Sequence, residues 1–89
     1  MFQGLAANVI AAFKALLGER TYQDAKYPAP KNQVLLSVGE EILLMETYVG
    51  KARQAWVVNV GDQAALTEIR KVGAIALRCM SNHGAPART

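Results

Sequence analysis

The chain predicts an all-α fold: a three-helix antiparallel subunit that pairs into a dimeric helical bundle. Three observations lead there. Apolar residues recur at spacings of three and four in three separate stretches. No alternating β-rich run interrupts them. Finally, 52% of the 89 residues are hydrophobic and only 19% are charged. A chain of this length forms one domain and buries only about 60–65% of the surface its unfolded form exposes. It therefore has more apolar surface than one small helical domain readily hides, and two-fold pairing is the simplest remedy.

The first helix is expected over about residues 2–25. Phe2, Leu5, Ala6, Val9, Ile10, Phe13, Leu16 and Leu17 describe one face. Gly18 either ends this helix or lies inside it. The polar "ERTYQDAK" is helix-compatible, and "YPAPKN" stops the helix because two prolines cannot continue the hydrogen-bond ladder.

The second helix, about 37–58, opens on Ser37 and Glu40, the S-x-x-E capping box in which serine and glutamate each satisfy an orphan backbone N–H. Behind the cap lies a seam of Val38, Ile42, Met45, Val49, Ala52 and Trp56, at the period of a helix packed against other helices. Leu35 fits the same phase. Leu43, Leu44 and Tyr48 widen the stripe, so this helix meets more than one neighbour, and Trp56 and Tyr48 read as packing residues.

The third helix, about 63–83, follows the turn "NVGD", with Asp62 placed to cap it. Leu66, Ile69, Val72, Gly73, Ala76 and Met80 form its inner face, and the small Gly73, Ala74 and Ala76 let another helix approach closely. Gly84 is placed for a left-handed C-cap with Pro86 beyond it. Residues 1–84 then form one helical domain and 85–89 a loose tail.

The net charge of +3 comes from ten basic and seven acidic residues. That balance makes nucleic acid an unlikely partner, because it lacks both a strong positive field and interleaved exposed aromatics. Arg70, Lys71 and Arg78 read as a solvated polar face. The single cysteine, Cys79, cannot form an internal disulfide and sits in an apolar run, as a reduced core thiol would. The N-terminal stretch has no basic n-region, and Lys14 breaks its longest apolar run. No signal peptide or membrane partner is expected, and the cytoplasm is the natural compartment. His83 stands four residues after Cys79, but a helix-end histidine reads as a capping or solvent residue rather than half of a catalytic pair. "GKARQ" lacks the glycine spacing of a phosphate loop.

Two stretches carry a resemblance. "ER-TYQDAKYP", and "VGEEILLMETYVGKARQAW" followed by "GDQAALTEIRKVGAIALRCMSNHGAPAR", are similar to small MazG-like proteins of phage and mobile-element type, across residues 19–88. These belong to the all-α nucleoside-triphosphate pyrophosphohydrolases. The resemblance implies two acidic helices, one with E-E-x-x-E and the next with E-x-x-D, holding Mg²⁺ against a nucleotide triphosphate. A hard divalent ion needs several oxygen ligands, and carboxylates one helical turn apart point the same way.

Here the pattern is incomplete. Glu40 and Glu41 match the first pair, but Leu44 stands at the third acidic position; Glu68 matches on the next helix, but Lys71 stands where an aspartate is required. Using Glu46 does not repair the register. Glu40 falls opposite the seam, while Glu41 and Glu46 flank it on either side, free to pair with Arg70 or Lys71 of a neighbouring helix. The expectation is a catalytically degenerate, homodimeric binding protein with no cofactor. Glu40, Glu41, Glu46 and Glu68 are its candidate metal or nucleotide site, and Tyr22, Asp24 and Lys71 its candidate ligand contacts. The alternatives are a Mg²⁺-dependent pyrophosphohydrolase with a non-standard ligand set, and a module that binds a host protein and no small ligand.

Overall fold

The computed structural model describes residues 4–26, 35–58 and 61–88. It consists of three helices: α1 (Ala7–Lys26), α2 (Val38–Val58) and α3 (Gln63–His83). The "YPAPKN" segment and the first two residues of the "NVGD" turn lie outside the described residues. No strand occurs among the described residues, and no helix among them is long and apolar enough to cross a membrane.

Local chemistry sets the helix ends. α1 begins five residues later than the apolar pattern predicts. Gly4 has a φ of 82°, which a right-handed helix does not admit, and the Ala6 carbonyl accepts the first bonds, from the N–H groups of Val9 and Ile10. Gly18 lies inside α1. At the head of α2 the capping box forms in full: Ser37 N–H donates to Glu40 Oε1 at 2.9 Å, and Glu40 N–H donates to Ser37 Oγ at 3.1 Å.

Asp62 does not cap α3 with its carboxylate. Its backbone is already helical, at φ −96° and ψ −16°, so only its carbonyl takes part, accepting from Leu66 N–H. Gly84 closes α3 by donating to the Met80 carbonyl. Its ψ of 149° lies outside the left-handed helical region anticipated for it, though its φ of 123° still requires glycine.

α3 lies in the middle. α1 and α2 each pack on α3, and among the described residues they do not pack on each other. The result is a three-helix layer, more open than a closed bundle. Its radius of gyration, 14.6 Å, exceeds the roughly 12 Å typical of a compact chain of this length. Small residues make the contacts close. Ala52, Ala65 and Ala74 are buried with Ile75, and Leu16 of α1 sits directly against Gly73, where a Cβ would strike it.

The apolar seams are arranged differently from the sequence expectation. Of the α2 seam only Ala52 is buried. Val38, Ile42 and Val49 are exposed, and Trp56 is 61% exposed rather than packed. On α3 the predicted inner face is equally open at Leu66, Ile69 and Met80, while Ala65, Ala74 and Ile75 face the neighbours. The periodicity marked real stripes, but these stripes point away from the chain's own core.

The register shows where they point. The contacts of Leu16 with Gly73 and of Glu19 with Arg70 fix the side of α1 that meets α3. At 3.6 residues per turn, Val9, Phe13 and Leu17 fall on one flank of that contact, and Ala15, Gly18 and Tyr22 on the other. On α2, buried Ala52 and Glu41 divide Val49 and Trp56 from Tyr48 in the same way. Val49 and Trp56 share a groove with Ile69 and Val72 of α3, whereas Tyr22 shares a groove with Thr67 and Lys71, the latter also facing Tyr48. The layer therefore has an apolar side and a polar side.

Candidate functional site

The candidate glutamates separate according to what each one touches. Glu40 is exposed and spends its carboxylate on the cap. The Ser37 backbone N–H, and then the Ser37 hydroxyl, hold its pKa below the ordinary value. Glu41 is 1% exposed. It takes two hydrogen bonds from Arg78, Nη2 to Oε1 at 2.6 Å and Nε to Oε2 at 2.9 Å, the fork geometry that satisfies both oxygens at once. Hydrogen bonding to Glu41 in turn raises the Arg78 guanidinium above its already high ordinary pKa. Glu68 Oε1 accepts from Lys71 Nζ at 3.2 Å, one turn along α3. Glu46 is exposed and makes no hydrogen bond or ion pair among the described residues.

Two expectations are thereby corrected. Glu41 pairs with Arg78, not with Arg70 or Lys71, and Glu46 takes neither of them. Nor are Arg70, Lys71 and Arg78 merely a solvated face: each holds a glutamate. A long Arg side chain reaches across a helix contact that spacing along one helix does not reveal.

Sequence reasoning missed a second buried acid. Glu19 of α1 is 7% exposed and receives Arg70 Nε on Oε1 at 2.8 Å, with Gln23 Nε2 donating to Oε2 at 3.4 Å. The polar "ERTYQDAK" gave no sign that its glutamate faces α3. Among the described residues, Gln23 Oε1 and Glu68 Oε2 are buried without a hydrogen-bond partner.

The candidate ligand contacts are partly assembled. Tyr22 and Lys71 line one groove on the polar side, about 550 Å³, together with Gly18, Glu19, Thr67 and Arg70. Lys71 is held twice, by Glu68 and by the ring of Tyr48, whose centroid lies 5.7 Å from Nζ; Lys51 sits over the same ring at 4.7 Å. Asp24 does not line the groove. It pairs with Arg20, whose Nη1 donates to Ser81 Oγ on α3. His83, at the end of α3, bonds through Nε2 to the Leu36 carbonyl at 2.8 Å, tying that end to the chain just before α2. Cys79 is a half-buried free thiol rather than a fully buried one.

The donor set does not fit a magnesium cage. The positions the MazG pattern reserves for carboxylates hold Leu44 and Lys71. Of the carboxylates that remain, Glu40 is committed to a helix end, Glu41 to a bidentate arginine and Glu68 to a lysine. Among the described residues no group of three or more acidic, histidine or cysteine side chains is gathered to hold an ion. Mg²⁺ requires oxygen ligands in near-octahedral array, and a guanidinium seated on both oxygens of Glu41 occupies that carboxylate's coordination sites.

No family model matches the chain, and neither a curated protein nor a solved structure is similar to it.

Proposed function

We propose that this chain is a MazG-like helical protein whose acidic site has given up metal chemistry, and that it acts as a self-associating binding protein. The observation that carries this reading is the bidentate Arg78–Glu41 pair, which turns the best-placed ligand of the ancestral pattern into a structural joint. Glu68, the other anchor by pattern, is drawn to Lys71, the residue that replaces its partner carboxylate. Self-association is supported by the apolar side of the layer, where most of the α2 seam stands in solvent.

A nucleotide is the ligand class the polar groove favours. Arg70 and Lys71 stand there beside the ring of Tyr22, a base-sized platform next to two cations.

The test is release of pyrophosphate from a panel of deoxynucleoside triphosphates with Mg²⁺ or Mn²⁺. The expected outcome is no turnover above buffer, together with a thermal shift from nucleotide alone that Lys71→Ala removes. Turnover that Glu68→Ala abolishes would return the chain to the enzymes.

A further inference from the structure

Large apolar side chains stand exposed among the described residues, Ile42, Val49 and Trp56 on α2 and Leu66 and Ile69 on α3 among them. The middle of the apolar side is the α2–α3 groove of about 350 Å³ lined by Val49, Ala52, Arg53, Trp56, Ile69 and Val72. An exposed tryptophan beside a groove has the character of an interface anchor.

The edge of this face indicates what covers it. Glu46 and Arg53 lie seven residues apart, two turns along the outer edge of α2. Both are exposed, and neither makes an ion pair among the described residues, although the other four glutamates each have a partner. In a two-fold contact, residue i of one copy meets j of the other and j meets i. With the axis near Val49 and Gly50, two antiparallel copies of α2 set each Glu46 opposite the other's Arg53. One helix edge thus carries both halves of the pairing.

We propose that a second copy of this chain covers the apolar side through an isologous contact, with the two Trp56 side chains on either side of the two-fold axis and reciprocal Glu46–Arg53 pairs along the edge of α2. This rests on the self-association put forward above, and it names the face and the register.

Sedimentation velocity on the intact chain and its variants tests it. The wild type is expected near 19 kDa, twice the chain mass. Trp56→Asp should raise the dissociation constant about 30-fold or more, with helical circular dichroism unchanged because Trp56 packs on little within its own subunit. Glu46→Arg and Arg53→Glu should each weaken pairing about tenfold by placing like charges together. The double swap should restore it, an outcome general damage to the fold does not produce. A wild type that stays at 9.6 kDa at 100 µM would overturn the self-association itself. A dimer indifferent to Trp56→Asp, or one the double swap fails to restore, would leave self-association standing and overturn the face and register assigned here.

Discussion

The two seams of α3 are built with one device at two depths. On the α2 side, Glu41 is sealed from water and held by both arms of Arg78. On the α1 side, Glu19 is nearly as buried, but Arg70 grips it through one nitrogen and stands 43% exposed. A buried carboxylate is tolerated only while its charge and lone pairs are met, so each joint is a point of specificity more than a source of net stability. Where the cation is largely wet, as Arg70 is, solvent can take over part of its task; Arg78, 23% exposed, leaves solvent less room to do so.

Substitution sharpens that contrast. Arg78→Ala strands Glu41, a buried carboxylate, without its cation and should cost about 3–5 kcal/mol, read as the shift in urea unfolding at fixed protein concentration. The same change at Arg70 should cost only about 1–2 kcal/mol, because the vacated space is open and Gln23 still reaches Glu19. Equal losses at the two sites would erase the distinction.

A middle-sized effect belongs to the close approach on the α1 side. Gly73→Ala places a methyl against Leu16 and should destabilise by about 1–3 kcal/mol. Hydrogen exchange should accelerate in α1 more than in α2, and Leu16→Ala should relieve the clash in the double variant.

The smallest effect lies at the exposed cap of α2. Glu40 has its pKa lowered by Ser37, so its contribution is complete above the unfolded value near 4.5 and disappears as pH falls through the lower folded value. The stability gap between wild type and Glu40→Gln should therefore be widest near neutrality and close on acidification. A gap independent of pH would show that the ionised carboxylate contributes nothing to the cap.

How much of this was legible in the sequence follows from the range of each interaction. The capping box could be read because Ser37 and Glu40 are three residues apart, and the helix builds that geometry unaided. Gly73 could be read as a place of close approach because its size alone dictates it. The seams could be read as stripes but not assigned a partner. Val38, Ile42, Val49 and Trp56 repeat at the same period whether they meet their own chain or another. The buried acids were hidden for the opposite reason. Glu41 resembled a wet flank, and only an arginine 37 residues away in sequence makes its burial tolerable. The Tyr22–Lys71 groove was glimpsed through resemblance, while Asp24, two residues on from Tyr22, falls on the opposite face of α1, where it pairs with Arg20.

Placing α3 between two helices that do not pack on each other among the described residues makes it a hub with two spokes. The α2–α3 hairpin is joined by a very short connection and closes with little loop entropy, whereas α1 returns across a longer one. Detaching α1 opens one spoke and leaves the hairpin, with its sealed Glu41–Arg78 joint, intact. The molecule can therefore loosen at its Tyr22–Lys71 groove, which needs both α1 and α3, without dissolving the surface through which α2 and α3 would greet a twin.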